Sequence, residues 1–214
     1  MNKKIRYIAF LLAIVAILTV AVSCTDGETE DTEYETAYGE FPEYDLENID
    51  GYVKPFEYKG LTVYAKLGET HQEALWGYIV DSAEIIAYPE AQVEYYARQD
   101  MVKYKYLAKR DGISYEDLLE GLGVTEESIY ADARALVKSD IVLEYIIKAE
   151  GISLSEEEKA KNLDKYASLF AEKYGYDKEY IISEMTDKMY ELMLSDKTQE
   201  FLLQNNTVYT MENK

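Results

Sequence analysis

TEESIYADARALVKSDIVLEYIIKAEG, residues 125–151, decides the fold class. Thr125 carries the side-chain oxygen that an N-cap needs, and Glu126 and Glu127 fall in the first turn, where the helix dipole favours anions. Ile129, Ala133, Leu136, Val137, Ile141, Leu143 and Ile147 form the inward set of one long helix, with apolar residues returning every three or four positions. Gly151 takes a left-handed conformation without steric cost and ends the helix.

The same grammar runs in both directions from this helix. Downstream, Ser155-Glu156-Glu157-Glu158 is a capping box. The helix it starts carries Ala160, Leu163, Ala167, Phe170 and Tyr174, and Gly175 stops it. Asp177 caps a short helix around Tyr180 to Ile182. Met185, Met189, Leu192, Met193, Leu202 and Leu203 mark the last one or two helices, and the tail after Asn206 is expected to be extended. Upstream, Ser114 with Asp117 starts a short helix that Gly121 and Gly123 close. Pro89 suits the first position of another helix. Its apolar face is Val93, Tyr96, Ala97, Met101, Tyr104 and Ala108, and Gly112 ends it. From about residue 70, Ala74, Tyr78, Val80 and Ile85 fit a first helix. Gly112-Ile113-Ser114 recurs as Gly151-Ile152-Ser153: glycine to stop, isoleucine to pack back, serine to start again. The expected fold is all-α, a bundle of antiparallel helices with short connections. Leu61, Val63 and Ala65 alternate with Thr62 and Tyr64, a strand-like segment near 60–65 that is too short for a sheet of its own. It is expected to pair with a nearby extended segment or to lie along a helix.

The N-terminus reads differently. Lys3, Lys4 and Arg6 precede an uncharged apolar run, Tyr7 to Val22, of about 16 residues, short of the ~20 that cross a bilayer as a helix. It ends at Ala21-Val22-Ser23-Cys24, and Cys24 is the single cysteine. This is the layout of an export signal. The small residues before a lone cysteine resemble the lipobox of bacterial lipoproteins, although Ala21 stands where leucine is usual. The resemblance implies cleavage after residue 23 and a diacylglycerol on Cys24, which two acyl chains at about 0.8 kcal/mol per buried methylene would hold in a membrane. An uncleaved signal anchor and a secreted, unanchored product are the alternatives. Residues 24–50 are expected to form an acidic disordered stalk, since positions 25–50 contain no lysine or arginine. Residues 51–69 then read as an extended linker segment, and 70–209 as the helical domain.

Charge limits the partners. The 214 residues hold 42 acidic and 22 basic side chains, a net charge of −20. Removing residues 1–23 takes away three of those basic residues and no acidic one, leaving −23. Such a surface lacks the cations that displace counterions from nucleic-acid phosphate, and it does not lie flat on an anionic membrane. His71 is the only histidine, so one chain has no multi-histidine metal cluster. No Gly-x-Ser-x-Gly and no glycine-rich phosphate loop occurs. No catalytic residue, metal site or cofactor is expected, and the chain is expected not to be an enzyme.

Several segments together resemble the C-terminal domain of bacterial trigger factor. Ile85-Ile86-Ala87-Tyr88-Pro89-Glu90-Ala91-Gln92-Val93 is similar to the start of that family's first arm helix. Tyr115-Glu116-Asp117-Leu118-Leu119 and Thr125-Glu126-Glu127 resemble its middle helix and turn. Residues 133–152 are the nearest match, and Glu200 to Val208 resembles the closing segment. Tyr58-Lys59-Gly60-Leu61-Thr62-Val63 resembles the link between that family's first two domains. The resemblance, over about 84–209 plus that link, implies a helical body with arm-like helices that cradles non-native chains, a scaffold shared with the SurA and PrsA chaperones. Nothing here resembles the ribosome-binding loop, and there is no room between Leu67 and Leu75 for the FKBP-type isomerase domain, so neither ribosome docking nor isomerase activity carries over.

The expected function is that of a membrane-anchored, extracytoplasmic, ATP-independent holdase for unfolded or nascent exported polypeptides, acting in protein folding and transport. The client-binding candidates are Met185, Met189, Met193, Tyr190, Tyr166, Tyr174 and Tyr180, because unbranched methionine and amphipathic tyrosine adapt to many sequences. Met185, Met189 and Met193 at i, i+4 and i+8 equally fit a buried stripe. The alternatives are a lipoprotein adaptor docking one defined envelope partner, and a peptidyl-prolyl isomerase-related protein.

Overall fold

A computed structural model describes residues 41–211. The expected signal sequence, Cys24 and positions 24–40 of the acidic segment lie outside the described residues. The chain runs through a 3-10 helix (Leu46–Gly51), β1 (Thr62–Ala65), α1 (His71–Ser82), α2 (Glu90–Asp111), α3 (Tyr115–Leu122), α4 (Glu126–Glu150), α5 (Glu156–Tyr174), α6 (Lys178–Glu184), α7 (Thr186–Gln204) and β2 (Thr207–Thr210). The fold is mostly helical, as expected, with one short two-stranded sheet.

Local capping chemistry sets the boundaries. Ser114, Thr125, Ser155 and Asp177 accept hydrogen bonds from backbone amides at the starts of α3 to α6. Thr70 and Glu73 form a further capping box at α1. Pro89 is the N-cap of α2 rather than its first helical residue. Gly112 and Gly151 end α2 and α4 at φ of 68° and 62°. The amides of Ile113 and Ile152 then donate back to Ala108 and Ile147 at 3.1 and 3.0 Å, the repeated stop expected from their shared Gly-Ile-Ser spelling. The serine that starts α5 is Ser155, two residues beyond the one in that repeat.

The strand pair closes the molecule. β1 and β2 run parallel, Thr62 opposite Thr207 through Ala65 opposite Thr210. Asn206 fixes the register: its Oδ1 accepts from the Leu61 amide at 2.7 Å, and its Nδ2 donates to Tyr58 O at 2.9 Å. Val63 and Ala65 turn inward onto α1, while Tyr64 and Tyr209 stack on the open face with centroids 5.7 Å apart.

Two expectations are corrected near the N-terminus. The acidic stalk expected over residues 24–50 does not extend to residue 50: its described part, from Phe41, lies on the body. Asp45 caps the 3-10 helix, Ile49 is fully buried, and Lys148 donates to Glu47 O and Asp50 Oδ2 at 2.9 and 2.8 Å. In the sequence, charge density outweighs one isoleucine, whereas the fold gives that isoleucine a core and the acids a lysine. Residues 51–69 are likewise more than a linker, since Val53, Val63 and Ala65 are buried in the main core. In α1, Tyr78 faces solvent instead of the core; the buried set is Ala74, Leu75, Trp76, Ile79 and Val80.

Apolar burial is divided between two clusters. The larger joins the 3-10 helix, the strands, α1, α2, α4 and the end of α7, with Ile79, Val93, Val137, Ile141, Ile146 and Leu202 at its centre. The smaller is Ala167, Phe170, Ile181, Met189 and Met193, contributed by α5, α6 and the first half of α7.

Candidate functional site

The two clusters correspond to two helical lobes. In the first, α2 and α3 pack on each other and α2 lies along α4, whose 25 residues extend about 37 Å. In the second, α5, α6 and α7 pack together. Among the described residues, no extensive packing joins α2 and α3 to α5 and α6; the lobes meet where α7 crosses α4 and α1. No helix among the described residues is long and apolar enough to cross a membrane.

The seven residues singled out from sequence all belong to the second lobe, but they do not share one surface. Met189 and Met193 are buried in its core, with Met185 packed half-buried against them. Their helical repeat serves packing, because it points toward α5. Tyr166 is half-buried and its hydroxyl donates to Asp196 Oδ2 at 2.7 Å. Tyr174 packs on Phe170 at 4.6 Å between centroids, and Tyr190 lies beneath the Lys159 ammonium. Tyr180 alone of the seven is well exposed, at 48 %, and stacks on Tyr176.

Other apolar side chains face solvent on the lobes. Ile113 and Leu122 flank α3, and Leu169 lies on the outer side of α5. Sequence reasoning missed them. Leu122 carries one usable signal, since it sits between Gly121 and Gly123 at a helix end with no apolar partner at i+4. Leu169 carries none beyond being out of phase with Ala167 and Phe170.

Polar groups meet where α2 packs on α4. Asp140 on α4 is buried, and its Oδ2 accepts from Tyr96 Oη on α2 at 2.8 Å and from Tyr44 Oη at 2.9 Å. Burial lifts this carboxyl to about 7 despite the two phenols and the neighbouring Lys188, which favour its charged form. Burial, followed by the charge of Glu191, also raises Glu144 one turn along α4. Burial and the Asp140 charge push both phenols well above the usual tyrosine range. The arrangement retains a proton near neutrality where α2, α4 and α7 converge. His71 opens α1, and its Nε2 lies 3.0 Å from Thr210 Oγ1. The described residues contain no group of three or more acidic, histidine or cysteine side chains placed to hold a metal.

The family model described as the C-terminus of the bacterial trigger factor protein matches residues 64–204. The trigger factor of Levilactobacillus brevis is 31 % identical over 114 residues, covering 51 % of this chain and 25 % of the relative. That of Lactiplantibacillus plantarum is 30 % identical over 114 residues, with the same coverage. The chain thus spans about a quarter of the length of these curated relatives. No solved structure matches.

Proposed function

The chain belongs to the family of the bacterial trigger factor C-terminus, and from that premise we propose that it is an ATP-independent chaperone. It holds apolar segments of non-native exported polypeptides while anchored through Cys24 to the extracytoplasmic face of the cell membrane. The observation that carries this reading is the placement of exposed apolar side chains on two lobes that stay apart. Single exposed apolar residues are ordinary on any surface. Here Ile113 and Leu122 stand on one lobe, and Leu169 and Tyr180 on the other. A non-native chain that touches both lobes at once gains from each, because two weak contacts on one chain reinforce each other through effective concentration. The net charge of −23 that remains without residues 1–23 would keep such a complex soluble. The cationic start, short apolar run and lone Cys24 support the anchoring.

The test is suppression of aggregation of a reduced, unfolding model protein by the 25–214 fragment. Suppression is expected at equimolar ratio, and L122D combined with L169D is expected to weaken it severalfold without lowering the melting midpoint. No suppression at excess fragment would overturn the proposal. The stacked, exposed pair Tyr64 and Tyr209 favours a second reading, an adaptor that docks one envelope partner through the strand pair. Affinity capture separates the two: one stoichiometric partner lost on Y64S favours the adaptor, and a spread of unfolded proteins favours the chaperone.

A further inference from the structure

Residues 41–44, Phe-Pro-Glu-Tyr, lie against α2 and α4 without secondary structure. Among the described residues, their only backbone-to-backbone bond is local, from the Leu46 amide to Tyr44 O. Side chains of the body hold them. Gln92, only 4 % exposed, donates from Nε2 to both Pro42 O and Glu43 O at 2.8 Å. The Phe41 ring meets Tyr95 edge-on at 5.1 Å and Tyr96 at 5.9 Å, yet remains 39 % exposed. Tyr44 reaches down to the Asp140 carboxyl that Tyr96 also contacts. What the body reads is therefore two consecutive carbonyls turned to the same side, one aromatic ring, and a second ring with a hydroxyl three positions on. A glutamine committed to two backbone carbonyls reads the main chain, and the two rings supply the side-chain preference.

We propose that the surface formed by Gln92, Tyr95, Tyr96 and Asp140 is a binding site for peptide segments with an aromatic residue followed three positions later by tyrosine, occupied in this structure by the chain's own residues 41–44. The inference rests on the chaperone reading and gives it a specific ligand class. Residues 41–44 act as an internal stand-in. They sit at the effective concentration of a short tether, on the order of millimolar, so a client displaces them only when it binds the site well or holds the exposed lobe residues at the same time. Lys188 and Glu191 of α7 influence the Asp140–Tyr96 pair electrostatically, which places the site beside the second lobe, where a displaced segment and an incoming one exchange.

The test is fluorescence anisotropy of a labelled, blocked peptide, Ala-Phe-Pro-Glu-Tyr-Ala, titrated with the full chain. F41A/Y44A is expected to bind it at least tenfold more tightly than the unsubstituted chain. Adding Q92A to that variant is expected to abolish binding, as is replacing both peptide aromatics with serine. No binding by F41A/Y44A that melts cooperatively, or equal binding with and without the substitutions, overturns the proposal. If F41A/Y44A does not fold, F41A alone, which leaves the Tyr44–Asp140 bond in place, is expected to bind severalfold more tightly than the unsubstituted chain; unchanged binding overturns the proposal. Aggregation suppression measured in parallel separates the two readings. Suppression without peptide binding removes the site and leaves the chaperone, whereas binding without suppression removes the chaperone and leaves a peptide-binding site.

Discussion

Asp140 is a carboxyl taken out of water and compensated by two phenolic hydrogen bonds instead of a cation. Because burial raises its folded-state pKa to about 7 from an ordinary 3.8, the folded protein keeps this proton after the unfolded chain has lost it. Stability therefore falls as pH rises through the window from about 4 to about 7, and the effect is constant above and below it. At ~1.4 kcal/mol for each tenfold change in proton affinity, the loss is on the order of 2–4 kcal/mol. Glu158 has the opposite sign: the Lys197 ammonium 2.6 Å away, with the Ser155 bonds, lowers it to about 2, so its contribution is lost as pH falls below about 4.5. D140N separates the two. Its amide oxygen still accepts from Tyr44 and Tyr96, so denaturant unfolding at pH 5 and pH 8 is expected to show a much smaller loss at pH 8 for D140N than for the unsubstituted chain, the remainder coming from Glu144. An unchanged pH slope in D140N would assign the effect to Glu144 or another group.

Helix ends are where single substitutions at the level of elements have readable costs. Gly151 closes α4 at φ +62°, and a Cβ there would meet nothing within 4 Å. G151A therefore costs only backbone strain, expected at about 1–2 kcal/mol. Gly121 also has open space around a Cβ, but it lies inside α3 with an ordinary helical backbone. G121A is expected to stabilise by about 0.5–1 kcal/mol. The two glycines thus predict opposite shifts in the urea midpoint from the same chemical change. S155A removes the capping box of α5 and is expected to cost about 1 kcal/mol. Since α5 contributes to the small core and not to the large one, that loss belongs to the second lobe.

At the scale of the whole molecule, two cores of unequal size share α7. Its first half supplies Met189 and Met193 to the small cluster, and its end supplies Leu202 to the large one. M189A leaves a cavity in a small, closed cluster, at a cost of about 2–5 kcal/mol. Native-state hydrogen exchange is expected to show residues 156–197 opening at much lower free energy in M189A, while amides around Ile141 and Ile146 keep their protection. Uniform loss of protection would mean that the lobes fold as one unit. Separate yielding follows from the lobes being joined through α7 rather than through a shared interior.

The sequence by itself determined where helices begin and end. A cap is satisfied within four residues of chain, so Ser114, Thr125, Ser155, Asp177, Gly112 and Gly151 announce themselves without knowledge of the fold, while the family resemblance is carried mainly by longer segments, 133–152 above all. Asn206 and the alternation at 61–65 also hinted at extended ends. Only the tertiary structure decided which apolar faces were covered. Met189 and Leu169 both lie on helices that mix apolar and charged residues; one meets α5 and the other meets solvent, and that depends on which helix stands opposite. It also decided the parallel pairing of strands 145 residues apart and the docking of Phe41 to Asp50 on the body. Long-range closure and burial are settled by the sum of weak contacts across the molecule, and no local stretch of side chains encodes that sum.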